Sequence, residues 1–463
     1  MTTEHLETVG LLSRLIRNAC VNDGTPDSGQ EIRNARTLLD FFEGSGVRHE
    51  WVEPHPGRVS LIFRVPGTDP DAEPLTLLGH TDVVPADDRE WERPPFSGDI
   101  RDGTVWGRGA VDMLNLTASM AVVTKRIAER GEPLAGDLVF AAVADEEAGS
   151  RFGVGWISRN REDLLPWGNA LTESGGAHLP SKDRRTLTIT VGEKGSAPRR
   201  IVARGVSGHG SMPYGSRNAA VIIADATLRL ARHRGAPLLG GQWERFVRAH
   251  GFDAATEAAL LNEDTLGSAL GSFADAVRFA HAVTHLTISP NVLHAGGKAN
   301  VIPGEGTLHL DIRVLPGQTE EDVDAELAAA LGDLAPELTI ERLGFWPPQL
   351  PSSEDSRLYR ALSDAVRHQF PGADTVPVLT GGGTDARFIR QRGGNAYGFA
   401  LFEPEWGIGK YRSLFHGANE HIDVTSLLRT VAALEHATLA FLAPGREGKI
   451  LASAGSSAKN TKP

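Results

Sequence analysis

The sequence predicts an α/β protein: a mostly parallel-sheet domain interrupted by an inserted α+β, ferredoxin-like domain. Three observations carry this. Short apolar runs alternate with helical patterns through residue 172, as in a parallel sheet flanked by helices. Near 195 the texture changes to a β-α-β-β-α-β order. After the turn-rich stretch WPPQLPSSED at 346–355, helix and strand signals resume to about 443. The expected divisions are 1–194 and 347–445 for the sheet domain, 195–346 for the inserted domain, and 446–463 for a disordered tail of small polar residues.

In order along the chain, Leu6, Val9, Leu12 and Ile16 recur at helical spacing. Ser28 and Glu31 read as a capping box ahead of Ile32, Ala35, Leu38 and Leu39. Strands are expected near 58–64, 75–79, 138–144 and 169–172, with a helix over 114–129. In the inserted unit, IVARGV is a strand, about 218–231 a helix, 285–292 and 305–314 paired strands, 319–331 a helix opening with acids, and LTIERL the closing strand. Residues 236–283 form a helical insertion of undefined shape.

The composition narrows the function classes. With 463 residues, 40% hydrophobic and 23% charged, the chain has enough material for a large core. Its net charge is −12 and its basic residues are dispersed, which argues against nucleic acid as a partner. No apolar run is long enough for a membrane span, and the N-terminus does not read as a signal peptide. The single cysteine, Cys20, excludes an intrachain disulfide and is expected to be buried on an N-terminal helix. Together these fit a reducing, cytoplasmic setting without a membrane partner.

The chemistry sits where strands end. LTLLGHTD places His80 and Asp82 just past one strand, LVFAAVADEEAG places Glu146 and Glu147 past another, and NALTESGG places Glu173 past a third. Ligand crevices of open α/β sheets lie at that edge. Asp112, in WGRGAVDM, marks the entry from a Gly-rich loop into a helix. So many acids at one edge repel each other unless cations neutralise them. Carboxylates with imidazole and no cysteine suit zinc, cobalt or manganese. A two-metal site needs about five ligands, one of them bridging.

HTDVVP, GRGAVDM, DEEAG, LTESGG, SGHGSMP, GGGTDAR and FHGANEHI, in this order, resemble the M20 metallopeptidases over about residues 5–443. The resemblance implies two divalent metal ions per subunit, with zinc first and cobalt or manganese possible. His80, Asp112 and Glu173 would hold one, and Asp112, Glu147 and His416 the other, with Asp112 shared. It makes Glu146 the general base and Asp82 the acid that orients His80. It makes 1–194 and 347–445 the catalytic domain and 195–346 a lid and dimerisation domain, on which His209 would stabilise the oxyanion, reaching the partner subunit's site in dimeric members, with Asn300 as a second polar group. Arg387 would hold a substrate carboxylate, and the backbone at Gly381, Gly382, Gly383 and Thr384 would approach the substrate. Arg313 is a weaker candidate on a lid strand.

The implied reaction is hydrolysis of an amide or peptide bond in an N-acyl amino acid or short peptide with a free carboxylate, by a homodimer joined through its lids. A dipeptidase or a succinyl-diaminopimelate desuccinylase-type deacylase is the alternative. A non-catalytic metal-binding protein of the same fold is the remote one. Leu114–Asn115 stands where relatives often carry Lys-Gly, and a cis peptide is expected between Asp112 and Met113.

Overall fold

Leu12, Leu15 and Ile16 share the buried face of a helix, Thr3–Arg17, in the computed structural model, which describes residues 3–181 and 184–444. The tail expected at 446–463 lies outside them. The next helix, Ile32–Phe42, begins without the expected capping box. The Glu31 carboxylate is drawn instead into a fully buried pair with Arg58, with both nitrogen–oxygen contacts at 2.7 Å. Ser28 Oγ accepts from the Asp23 amide and donates to the Thr25 carbonyl.

In chain order the strands that position the site are β1 (Arg48–His55), β2 (Arg58–Val65), β3 (Leu75–His80), β4 (Leu138–Val143), β5 (Asn169–Thr172) and β6 (Thr186–Glu193). A second sheet follows with β7 (Arg199–Arg204), β8 (Thr287–Ala295), β9 (Glu305–Val314) and β10 (Leu338–Arg342). The first sheet is completed by β11 (Asp374–Thr380) and β12 (Asn395–Gly398). Its eight strands lie in the order β1-β2-β4-β3-β5-β12-β6-β11. The pairs β4/β3, β3/β5, β5/β12 and β6/β11 are parallel, whereas β1 and β2 add antiparallel cover at one edge. The helix Leu114–Arg130 connects the first sheet's strands and is buried along most of its length.

Among β1 to β10, two strands escaped the sequence reading for opposite reasons. In β1, Val52 is the only buried residue, so a half-exposed edge strand carries almost no apolar signal. In β6, TLTITVGE alternates in type but is buried on both faces, so its threonines point into the interior.

The lid sheet runs β8-β9-β7-β10 with antiparallel pairing. Helices Ala219–Arg232 and Glu320–Leu331 cover it over a core that includes Ile201, Ile223, Leu308, Ile312 and Leu327. Thr319 and Asp322 form a reciprocal capping box at the start of the second helix. Residues 236–283, expected within the lid, pack elsewhere: Trp243, Phe246, Phe273 and Phe279 join the core of the larger sheet. The lid's apolar face is already covered, so the helix carrying Trp243 and Phe246 packs against β11, and Phe273 and Phe279 sit behind it. Lys194 pins the junction, donating to the carbonyls of Ala282 and His285 and to Thr287 Oγ1 at 2.7–3.0 Å.

Candidate active site

His80 closes β3. Gly79 before it leaves no room for a side chain, because a Cβ there would lie 2.6 Å from Thr117 Oγ1, which itself donates to the His80 carbonyl. His80 Nδ1 donates to the backbone carbonyl of Asp82 at 2.9 Å, and the Asp82 carboxylate is farther away at 3.6 Å. This corrects the expected orienting role: the main chain of Asp82 fixes the imidazole, turning Nε2 toward Asp112. The Asp82 carboxylate instead accepts from Asn22 Nδ2 at 2.8 Å and from the amides of Glu146 and Glu147 at 3.2 Å each.

Glu146 and Glu147 lie beyond the end of β4. They open a single 3-10 turn, Glu146–Ala148, after Asp145 takes a left-handed φ of 68°. Buried partners hold Asp145: Arg58 at 2.8 Å, Asn22 at 3.0 Å and the Phe152 amide at 2.9 Å. Arg58 is in turn held by Glu31. Ser174 and His416 also have positive φ. Each such backbone costs of order 1–3 kcal/mol and persists where its surroundings over-determine it.

Asp112 ends the Gly-rich loop, and its peptide bond to Met113 is cis, as the resemblance implies. One buried carboxylate shapes that loop. Glu420 accepts from the amides of Gly109, Val111 and Asp112 and from Arg108 Nη1, all at 2.6–3.0 Å.

These elements bring all five expected metal ligands together. His80, Asp112 and Glu173 form one group and Asp112, Glu147 and His416 another, with the ligating atoms of each group within 4.8 Å of one another. Asp112 serves both with different oxygens. Oδ1 lies 3.4 Å from His80 Nε2, Oδ2 lies 3.3 Å from His416 Nε2, and His416 Nε2 is 3.2 Å from Glu147 Oε2.

Burial, reinforced by neighbouring carboxylates, pushes the pKa of Glu146, Glu147 and Glu173 up. Hydrogen bonds to Asp112 and Glu147 lift His416 to about 11. Glu147 Oε1 is buried without a hydrogen-bond partner. Crowded acids, bracketing imidazoles and an orphaned carboxylate oxygen are a donor set that divalent cations would neutralise, so the residues fit two such ions.

On the substrate side, Arg387 Nη1 lies 3.8 Å from Glu146 Oε1, and Arg387 also donates to Ser150 Oγ and the Thr384 carbonyl. A Cβ built on Gly383 would sit 3.8 Å from Arg387 Nη1 and 3.9 Å from Arg313 Nη1, so both guanidinium groups approach this loop. Gly382 has open space around it. Thr384 departs from expectation. It is buried, and its amide and hydroxyl both donate to Glu193, which Arg390 pairs at 2.6 Å. Its side chain therefore anchors the loop.

His209 and Asn300 stand on the lid, on neighbouring segments: His209 pairs with Val301, and Asn300 O accepts from the Gly210 amide at 2.8 Å. Both are exposed and belong to neither ligand group. The sequence reading missed the supporting residues Glu420, Arg108, Arg58, Glu31, Asn22 and Asp145. Of these, Glu420, Asp145 and Arg108 do fall inside the motifs FHGANEHI, DEEAG and GRGAVDM.

A family model described as peptidase family M20/M25/M40 matches residues 76–440. The chain is 29% identical to the N-fatty-acyl-amino acid synthase/hydrolase PM20D1.1 of Danio rerio, over 84% of this chain and 76% of the relative. It is 28% identical to the succinyl-diaminopimelate desuccinylase of Xanthomonas euvesicatoria pv. vesicatoria (strain 85-10), over 80% of this chain and 84% of the relative. Its fold resembles that of the M20 family metallo-carboxypeptidase Sso-CP2 from Sulfolobus solfataricus, with a TM-score of 0.71, 20% identity, and coverage of 95% of this chain and 99% of the other.

Proposed function

The chain belongs to peptidase family M20/M25/M40, and from that premise we propose that it hydrolyses the amide bond of N-acyl amino acids, or of short peptides with a free carboxylate. The observation that carries this is the shared aspartate: Asp112 offers one oxygen to each ligand group, with Glu146 and Arg387 alongside.

His80, Asp112, Glu147, Glu173 and His416 would hold two divalent ions, zinc first, with cobalt or manganese compatible with the same donors. Such ions polarise a carbonyl and lower the pKa of water. Glu146 takes a proton from the attacking water and returns it to the leaving nitrogen. Arg387 holds the substrate carboxylate with a planar fork of donors, and the uncrowded backbone at Gly382 and Gly383 admits it closely. His209 and Asn300 meet the developing oxyanion from a second copy of the chain.

A homodimer through the lid is supported by exposed Val292 and Leu293 on β8 and exposed Val221 and Leu228 on the neighbouring helix. The lone buried Cys20 is compatible with a reducing cytoplasm. Protein reconstituted with zinc, cobalt or manganese should release free amino acid from a panel of N-acyl amino acids. Turnover confined to dipeptides or N-succinyl substrates would replace this reading with the alternative one. No turnover of any would support a silent metal-binding protein.

A further inference from the structure

Asp385 is a buried carboxylate with no part in either metal-ligand group. It is 2% exposed and stands at the N-cap position of the short helix Ala386–Arg390, yet its side chain caps nothing. The Thr384 hydroxyl accepts from the Ala386 amide instead, at 3.1 Å. The Asp385 carboxylate turns the other way. Its Oδ1 accepts from Ser150 Oγ, and its Oδ2 is buried without a hydrogen-bond partner. Burial pushes its pKa up to about 6, with Arg387 and the Ser150 hydroxyl opposing, so above pH 7 it carries its charge.

Ser150 is itself held in place. It is fully buried, its backbone has a left-handed φ of 61°, and its amide donates to the Asp145 carbonyl at 2.6 Å. A hydroxyl has one proton to give and lone pairs to offer. Asp385 takes the proton, which turns a lone pair toward Arg387 Nη2 at 3.1 Å. Arg387 Nη1 donates to the Thr384 carbonyl at 2.9 Å, and the guanidinium lies 4.6 Å from the centre of the Phe388 ring. Each terminal nitrogen spends one N–H this way and keeps one, which is the pair a carboxylate accepts from.

The guanidinium stands between two carboxylates. Nη1 is 3.8 Å from Glu146 Oε1, and Nη2 is 3.8 Å from Asp385 Oδ1. Neither contact is a hydrogen bond, and the pull of one carboxylate is countered by the other at the same separation.

We infer that Asp385, acting through Ser150, is the positioning residue that keeps Arg387 off Glu146, so that Glu146 stays available to water and Arg387 to the substrate carboxylate. The inference rests on the hydrolase reading above and adds to it the residue that sets selectivity for a free carboxylate. Preorganised groups of this kind need supporting contacts that lock their rotamers, and Ser150 with Asp385 supplies them.

Asp385→Asn keeps the shape and removes the charge. In a crystal structure of this variant, Arg387 should have left Ser150 and hydrogen-bonded to Glu146, whereas in a crystal structure of wild type the two should stay apart. Ser150→Ala should move Arg387 the opposite way, onto Asp385, so either variant decides the point. With metal-loaded protein, the preference for an N-acyl amino acid over its carboxamide, read as a ratio of kcat/KM values, should fall by about tenfold or more in either variant. KM for the N-acyl amino acid should rise. A substitution that only loosened the fold would lower both kcat/KM values together and leave the ratio unchanged.

Arg387 still bonded to Ser150 and the Thr384 carbonyl in Asp385→Asn overturns the inference, as does an unchanged ratio. Displacement of Arg387 in the two directions, with no turnover of any N-acyl amino acid by wild type, supports the positioning role and removes the hydrolase reading instead.

Discussion

The metal end of the large sheet and the lid turn around His209 differ in how their side chains are supported. His80, Asp112 and Glu173 are 2%, 6% and 7% exposed, on a loop and strand ends fixed by buried carboxylates. Around His209 the chain is open: Met212 is 70% exposed, and the one side-chain partner of the imidazole among the described residues is Ser211. Preorganised ligands need a rigid second layer of contacts, and the sheet end has one within a single chain. The lid turn lacks one, as expected for a group that finds its place only against a substrate or a second copy.

The largest effect should come from the buried half. Glu146→Gln keeps shape but cannot accept a proton, so kcat should fall by about 10²–10⁴ with metal content by elemental analysis unchanged. Full activity would remove Glu146 from the mechanism.

Next is the layer behind it. Arg58→Met strands the buried Glu31 and Asp145 carboxylates, which should cost about 3–5 kcal/mol in denaturant unfolding. A loss under 1 kcal/mol would mean the turn is held by something other than this network.

The lid should respond in the opposite way. His209→Ala should lower kcat by about 10²–10³ with an unchanged melting temperature. Mixing His209→Ala and Glu146→Gln subunits should then restore part of the activity, because a hybrid dimer has one intact site. Mixtures as inactive as their components would place His209 in its own subunit's site, or in none.

The same contrast explains what the sequence could convey. The meeting of His80, Asp112, Glu147, Glu173 and His416 was legible because ligand-type residues fall at strand ends and loop–helix junctions, and motif order tied the five together. Asp82 was legible as a residue but not as a role, since only coordinates show its carbonyl at His80 and its carboxylate at the Glu146 and Glu147 amides. Arg58 left no trace and Glu31 read as a helix cap, because in sequence a buried ion pair looks like two unrelated polar residues. The insertion was legible as helical, but which core it joins depends on which apolar face is already covered.

That last point gives the smallest of the expected effects. If the insertion belongs to the buried half, its own buried imidazoles should resist protonation. His250 packs against Phe246, Phe252 and Phe273, and burial pushes its pKa down to about 4, with the hydrogen bond to the Phe246 carbonyl partly offsetting this. The unfolded chain takes up that proton near pH 6.5. Above 6.5 both states are neutral at this site and it has no effect. Below 6.5 the unfolded state binds the proton first, so stability is lost progressively down to about pH 4, by roughly 2 kcal/mol at pH 5. His281, also pushed down to about 4 by burial, should add a loss of the same sign. Denaturant unfolding at pH 7 and at pH 5 measures this loss. His250→Phe should flatten part of the difference between pH 7 and pH 5. An unchanged difference would show that the insertion opens before the rest of the chain, and would move it to the mobile side of the comparison.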